Sequence, residues 1–525
     1  MLHKLFFCAC LLLNISPTFA QITNLSVKTI GGSAADKLKA VIPNSDGSYI
    51  VGGTTNSNDV NIIQKNALED ILVMKLDENH TTIWSKCFGG DGTDRLEYMQ
   101  KTNDGGYIIA GTTNSVNGDI TYFSGAGSNL SYYDVWVFKI NANGDLQWQK
   151  SFPSGPYNTN FHTFNDKYSF GVKELSNGTF VVGVYETSFL SIFSLSTRSV
   201  LKKLDANGIY TGQTVLEVWG ETPKCNIVSY IDVNEQDEII ACGNADSIEL
   251  VGGYQFGREN NTFVAKYTLN GTRISFTEFG DLGKNEYVYK LRKVSNGYIT
   301  LGYRYIPNDN SVNFYAGYVG LSGNLIWKRG YGNIGLDQFT DGIEEADGTF
   351  TFIGNTRFNN TFNNHFVNTN DIILTRINQN TGSFISASNI CIGGNSDDYA
   401  YNIEKDNNGK YFLAGETKSF DGDISNFLGV NDGIIINANL STTTGINPSI
   451  DDNIIIKPYS TYVEIVNNAT TATTAHIYDI QGRLLQSYPI SSSITTINLT
   501  SFAKGLYVMN IDIDGARISK KISIN

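Results

Sequence analysis

One short pattern returns along the chain at intervals near sixty residues, and it constrains the fold more than any other feature. In Asn103-Asp104-Gly105-Gly106-Tyr107-Ile108-Ile109-Ala110-Gly111-Thr112-Thr113 a turn runs directly into an apolar strand. The pattern recurs around Tyr49, Phe180, Ile239, Tyr298, Phe350 and Tyr411, with gaps of 58, 73, 59, 59, 52 and 61 residues. A period of this size marks a repeat architecture, in which each unit buries its apolar face against its neighbours.

A second strand follows each copy, often opened by Asp and carrying a basic residue near its end. Asp70-Ile71-Leu72-Val73-Met74-Lys75-Leu76 and Asp134-Val135-Trp136-Val137-Phe138-Lys139-Ile140 are the clearest examples. A third element ends in a Gly-Gly loop. Trp84-Ser85-Lys86-Cys87-Phe88-Gly89-Gly90 is its pattern, echoed at 327–332 and 389–394. Counting the strand before the turn, each unit carries four, which in the first unit fall near 37–43, 48–55, 71–77 and 82–88. The turn between the first two is Asp-Gly or Asn-Gly in six of seven copies: Asp46-Gly47, Asp104-Gly105, Asn177-Gly178, Asn296-Gly297, Asp347-Gly348 and Asn408-Gly409. Such pairs accept positive φ at a hairpin tip. Seven units of four antiparallel strands predict an all-β chain built on a seven-bladed β-propeller. An open β-solenoid is the rival architecture. The seventh unit has a third strand, 432–440, and no fourth, whereas 25–32 stands alone at the start and matches the Trp84 pattern. The N-terminal strand is therefore expected to complete the last blade and remove a free edge.

Composition agrees. Glycine is 52 of 525 residues, Tyr and Phe are 29 each, and charged residues are only 17%. That profile suits short strands and tight turns and excludes a coiled coil, a helical bundle or a disordered chain. The formal net charge is −13 with no basic run, which argues against a nucleic-acid partner. Residues 1–20 read as a signal peptide: Lys4, an apolar run from Leu5 to Leu13, then Thr18-Phe19-Ala20 as a small-x-small cleavage site. No later run of eighteen apolar residues predicts a transmembrane helix. The propeller is assigned to 21–440, a linker to 441–453 and a small C-terminal β-sandwich to 454–525. Cys225 and Cys242 flank one predicted hairpin, where a disulfide can be drawn, whereas Cys87 and Cys391 occupy equivalent places in distant repeats.

Strand alternation puts the tight turns on one face. The long loops 56–69, 113–133, 187–198, 245–260, 304–313, 357–370 and 417–431 share the other, and function is expected on that face. An acid stands ten residues before the hairpin Asp or Asn in five units: Asp36, Asp94, Glu286, Asp337 and Asp398. Asn226 and Lys167 fill the place in the other two. The position begins the innermost strand, so the acids are expected to ring the channel mouth as binding candidates. One reading is a cation site, with Ca²⁺ as the ion. The other is that each carboxylate takes backbone N–H bonds and locks one blade to the next. The second is favoured, because a repeat-wide residue ordinarily serves the repeat. Asn117-Gly118-Asp119-Ile120 and Asp421-Gly422-Asp423-Ile424 make Asp119, Asp421 and Asp423 metal candidates, although turn chemistry accounts for them equally. No cofactor is assigned. The nucleophile-elbow, phosphate-loop and dinucleotide patterns are absent. His80, His162, His365 and His476 have no metal-ligand spacing. No catalytic residue is assigned.

The C-terminal segment carries a recognisable pattern. His476-Ile477-Tyr478-Asp479-Ile480-Gln481-Gly482-Arg483-Leu484, then Ile497-Asn498-Leu499, Lys504-Gly505-Leu506-Tyr507-Val508 and Ser519-Lys520-Lys521-Ile522, resembles the type A C-terminal sorting domain of type IX secretion, a system of Bacteroidetes. Lys457-Pro458-Tyr459 departs from that family's usual Pro-Asn-Pro. The resemblance implies passage through the periplasm, the secretion machinery as partner, removal of the domain, and release or attachment at the outer cell surface. Gly482, Arg483, Gly505, Tyr507 and Lys520 would then serve sorting. The preceding repeats resemble propeller repeats of secreted surface proteins from such organisms. A monomeric surface binding or adhesion module is expected, with a glycan or surface polymer as ligand. The alternatives are a secreted polysaccharide- or peptide-active enzyme working on the long-loop face, and a cell-surface scaffold.

Overall fold

The computed structural model describes residues 20–59, 62, 68–121, 133–152, 169–191, 194–216, 227–251, 254–308, 310–331, 336–357, 369–385, 390–424, 427–442, 454–458, 462–467, 473–479, 483–490, 494–513 and 516–524. The chain divides into a large unit, Ile22–Leu440, and a second unit that contains Ser441–Asn525.

The large unit is a β-propeller. Among the described residues it holds seven four-stranded antiparallel sheets. In chain order these blades cover 36–88, 94–152, 169–215, 227–279, 285–331, 338–392 and 398–442, the last completed by Ala20–Ile30. The innermost strands are Asp36–Pro43, Asp94–Lys101, Ser169–Glu174, Ile227–Val233, Asn285–Val294, Gln338–Glu344 and Asp398–Lys405. Each packs on the next, and the seventh packs on the first, so the ring is closed.

Burial explains the sequence pattern. Tyr49–Thr55, Tyr107–Thr113 and Asp134–Ile140 are buried along their whole length. They lie mid-sheet with a blade on either side, so they read as continuous apolar runs. The outer strands Thr82–Phe88 and Leu146–Phe152 are partly exposed and more polar. The closing strand runs Ala20–Ile30 rather than 25–32 and pairs with Asp432–Thr442. Ile30 sits in a core with Leu38, Val41, Tyr49 and Ile435, which joins both ends of the ring. The following Gly31-Gly32 leaves the strand to enter the next blade.

The hairpin glycines behave as expected in five blades: Gly47, Gly105, Gly178, Gly348 and Gly409 have φ between 78° and 83°. The fourth blade lacks the glycine, and Asp237 takes φ 57° instead. The fifth differs: Gly297 pairs with Val294 and opens a strand, so Ser295-Asn296 forms the turn. Three expected long loops are β-hairpins. Phe180–Ser191 pairs with Ser194–Leu204, Ile239–Val251 with Tyr254–Tyr267, and Gly297–Ile306 with Ser311–Gly320. In the first of these the ladder runs past the blade as far as the pair Phe189 and Leu195, beyond which the register shifts. Every innermost strand also carries a register shift, at Leu38/Ala40, Leu96/Tyr98, Ser169/Gly171, Val228/Tyr230, Val288/Lys290, Phe339/Asp341 and Ala400/Asn402. Such bulges re-aim a side chain.

The second unit is a β-sandwich. One sheet holds Ile454–Pro458, Tyr462–Asn467 and Ile494–Asn498; the other holds Leu484–Ile490, Thr473–Asp479, Gly505–Ile513 and Ala516–Ile524. Val463, Ile465 and Ile497 of the first meet Ala475, Ile477, Met509, Ile511 and Ile522 of the second in one core. The expected signal peptide, apart from Ala20, lies outside the described residues, as do Gly482, Lys167 and Asn226. So does Cys225; Cys242 and Cys391 are free thiols. No helix among the described residues is long and apolar enough to cross a membrane.

Candidate functional site

The five repeat acids do not line an open channel mouth. Asp94, Glu286 and Asp398 are 0% exposed, and Asp36 and Asp337 are 1%. At three junctions one arrangement recurs. Oδ2 of Asp36, Asp94 and Asp398 accepts the N–H of Gly32, Gly90 and Gly394 at 2.8, 2.9 and 2.9 Å. The same oxygen accepts Ser57, Ser115 and Ser419 hydroxyls at 2.7, 2.7 and 2.8 Å. Thr55 and Thr417 donate to the other oxygen of Asp36 and Asp398. Asp337 accepts from Thr356 at 2.7 Å, and Glu286 from the N–H of Asp281 at 3.0 Å. The backbone N–H of Asp36, Asp94, Asp337 and Asp398 reaches back to the carbonyl of Asn431, Glu69, Val312 and Asn370 in the preceding blade, at 2.7–2.9 Å. At those three junctions the Gly-Gly loop folds over Asp36, Asp94 and Asp398, so the geometry is that of a staple between blades.

A second carboxyl, which sequence reasoning missed, faces three of these acids. A Cβ on Gly31 would lie 2.7 Å from Asp36 Oδ2 and 2.9 Å from Asp432 Oδ1. On Gly89 it would lie 2.4 Å from Asp70 Oδ1 and 2.6 Å from Asp94 Oδ2, and on Gly393 2.2 Å from Asp371 Oδ1 and 2.8 Å from Asp398 Oδ2. Only glycine fits between the paired carboxyls. The available signal was the Asp that so often opens the third strand. Burial pushes Asp432 up to about 6, with Asp36 adding to it, and Asp94 up to about 6, with Asp70 adding to it. Burial pushes Asp371 up to about 7, reinforced by Asp398, Asp423 and Asp397. Burial likewise raises Asp337 to about 6 and Glu286 to about 7.

These folded-state values lie above an unfolded carboxyl near ~4, so folding favours the protonated forms. Their stabilisation is full below about pH 4 and is lost as pH rises through 6 to 7. His80 works the other way: burial, then Lys410 and Lys28, lowers it, so its contribution is lost as pH falls. Five carboxyls outweigh one imidazole. The propeller is expected to melt several degrees higher at pH 5 than at pH 8 in calorimetry, and a higher melting temperature at pH 8 would count against buried, protonated pairs.

Asp119, Asp421 and Asp423 clasp the same glycine loops. Asp119 Oδ2 accepts Gly89 N–H at 3.1 Å, and Asp423 Oδ2 accepts Gly393 N–H at 3.3 Å. Their own N–H groups return to the carbonyls of Gly89 and Gly393 at 2.9 and 3.0 Å. Asp421 Oδ1 accepts the N–H of Asn395 at 2.8 Å. Among the described residues, no three His, Cys, Asp or Glu side chains are arranged to hold a metal ion.

The bulged strands fill the axis with a polar network. Asp341 takes Arg292 Nε at 2.7 Å and Nη2 at 2.6 Å, Lys290 at 3.3 Å, and Asn402 Nδ2 at 2.8 Å. Arg292 continues to Glu404 at 2.8 Å and to the Ile403 carbonyl at 2.9 Å, two blades away. Lys173 pairs with Asp232 at 3.1 Å. Tyr98 and Tyr230, also from non-adjacent blades, meet edge to face at 5.6 Å, and Lys290 lies over Tyr230 at 5.0 Å. Burial alone would raise Asp341, but Arg292 and Lys290 hold it down to about 2.

In the C-terminal sandwich, Arg483 is tied to Asp479 by its N–H at 2.8 Å and its Nε at 3.0 Å. Tyr507 donates to the Ala503 carbonyl at 2.7 Å and meets Phe502 edge to face. Gly505 and Lys520 pair with Ile524 and Met509 in one ladder. Residues 457–525 match the family described as the secretion system C-terminal sorting domain. This unit is a type IX sorting domain, which indicates secretion through the periplasm to the outer surface or the extracellular space. No curated protein matches the chain. Among solved structures, the β-propeller domain of the Trilobed protease from Pyrococcus furiosus has 7% identity and a TM-score of 0.38, covering 79% of this chain and 98% of that one. Pyrococcus horikoshii acylaminoacyl peptidase has 8% identity and a TM-score of 0.38, covering 82% and 58%. Trypanosoma rangeli sialidase in complex with sialic acid has 8% identity and a TM-score of 0.35, covering 95% and 88%.

Proposed function

We propose that the propeller is a cell-surface or secreted binding module for glycans or surface polymers, delivered by its C-terminal sorting domain. One observation carries the choice of binding over hydrolysis. The acids that a hydrolase would present to substrate, Asp36, Asp94, Glu286, Asp337 and Asp398, are buried and bonded to backbone and hydroxyl donors. A general acid or base must come within hydrogen-bond reach of the group it serves. The rigid ring instead offers solvent-facing turns and hairpins, where recognition ordinarily sits.

Retention tests this reading. The purified mature chain is passed over immobilised polysaccharides with Ca²⁺ and again with EDTA. Retention on at least one polymer, equal in both buffers, is expected because the carboxylates already have protein partners. Retention on none would overturn the reading. A chain lacking 454–525 is expected to fall at least tenfold at the cell surface and accumulate in the periplasm, as read by fractionation. Unchanged surface display would remove the sorting role.

A further inference from the structure

The inference below rests on the reading of the protein as a glycan-binding module and gives that module a site. The described residues enclose a cleft of about 690 Å³ that opens to solvent between the second and third blades. Asp104, Lys139, Gln147, Trp148, Glu174 and Phe180 line it. It lies on the tight-turn face, opposite the long loops on which the sequence directs attention. Its size is within the range of small-ligand pockets, roughly 300–1,000 Å³.

The cleft lies in front of a repeat position that carries no hydroxyl in this blade. Phe180 begins the second strand of its blade, at a repeat position where four blades carry Tyr (Tyr49, Tyr107, Tyr298 and Tyr411) and two others carry Ile239 and Phe350. Tyr107 donates to Asn44 of the preceding blade at 3.0 Å, and Tyr411 donates to Glu345 of its preceding blade at 2.6 Å. These bridges tie neighbouring blades together. Phe180 cannot make one, and the groove in front of it stays open.

What remains in the groove is ordered. Trp148 meets Phe180 edge to face at 5.5 Å, and its Nε1 donates to the Ala206 carbonyl at 3.1 Å. The indole is therefore held in place. Lys139 is neutralised by Asp104 at 2.5 Å and also donates to Gln147 Oε1, which leaves the Gln147 amide NH₂ as a donor. Glu174 Oε2 accepts the N–H of Asn103 at 2.7 Å, which leaves Oε1 as an acceptor. Two carboxylates against one paired lysine disfavour an anionic ligand. Fixed donors and acceptors beside an aromatic floor suit a molecule with apolar C–H faces and many hydroxyls.

We infer that this cleft binds a neutral saccharide chain, with Trp148 under a sugar ring, Phe180 buttressing the indole edge to face, and Gln147, Glu174 and Asp104 at the sugar's hydroxyls.

The test uses the full mature chain and calorimetric titration with neutral hexasaccharides of cellulose, xylan, mannan, starch and chitin. At least one is expected to bind. Phe180→Tyr installs the hydroxyl that Tyr107 and Tyr411 carry at the equivalent place, so it should intrude on the groove and weaken binding at least tenfold with no fall in melting temperature. Gln147→Ala, at an exposed position, should weaken binding severalfold and leave the fold intact. Binding unchanged in both variants would place the saccharide elsewhere and overturn this site while sparing the binding-module reading. Failure of every hexasaccharide, with polymer retention preserved, would also overturn it. Failure of hexasaccharides and polymers together would remove the functional reading itself.

Discussion

A chain that begins at Ser33, and so lacks the strand Ala20–Ile30, is expected to lose the propeller's sharp unfolding transition and to associate through its open last blade. The seventh sheet takes three strands from the end of the ring and the fourth from its start. Without that fourth strand, Asp432–Thr442 becomes an unpaired edge, a template for pairing with another chain. Burial of Ile30 alone stabilises by roughly 1.5–3 kcal/mol, and its core includes Leu38, Tyr49 and Ile435 from both ends of the ring. Other contacts also cross this seam. His80 accepts from Asn437 Nδ2 at 3.1 Å and is bonded to Tyr49, and Val41 N–H donates to Asn402 at 2.8 Å. These cannot hold the blades in register once the strand is gone. A synthetic peptide of residues 20–32 added in trans should restore the transition. Equal melting curves with and without the strand would show that the ring closes by other means.

Replacing Asp341 by leucine is expected to cost about 3–5 kcal/mol, because it strands buried cations without a partner. Asp341 is 0% exposed and is the meeting point of Arg292, Lys290 and Asn402. Among the described residues, its loss leaves Arg292 with Glu404 alone as a carboxylate partner. Denaturant midpoints at fixed slope measure the change. The double variant Asp341→Leu with Arg292→Met should recover much of it, since a buried pair exchanged for well-packed apolar groups is often neutral. A loss below about 1 kcal/mol in the single variant would mean that water, rather than protein, solvates the axis.

The sheets were legible because seven copies repeat one experiment. Tyr49, Tyr107 and Phe180 each begin a second strand, Tyr411 is the second residue of its own, and the hairpin glycines follow from their Asp or Asn neighbours. The bulges were not legible, since Ala40, Tyr98, Gly171, Tyr230, Lys290, Asp341 and Asn402 share no side-chain chemistry. They answer to the geometry of the ring, which no single strand encodes. The acids were legible as a repeat feature but not as buried pairs, because Asp70, Asp371 and Asp432 come from the neighbouring blade. A further signal was present and unread. Trp84, Trp148 and Trp327 pack on Gly144, Gly208 and Gly382 of the next blade, where a Cβ would lie 3.0, 2.4 and 2.8 Å from the indole. At the closure the N-terminal strand brings Ser26 where that Trp would stand, and His80 occupies the turn glycine's place at φ 63°. The cleft before Phe180 was invisible for the opposite reason. It lies among short turns, where no long loop marks it.

Whether the repeat acids are mortar or machinery decides the account. The direct measurement is release of soluble products from a retained polysaccharide, followed over hours by chromatography, for the mature protein and for Glu286→Gln and Asp398→Asn. The account predicts full retention, no products from any of the three proteins, and a changed melting temperature as the variants' only difference. Products released by the mature chain and abolished in either variant, with the fold preserved, would contradict it and make a carboxylate now read as a staple into a catalyst.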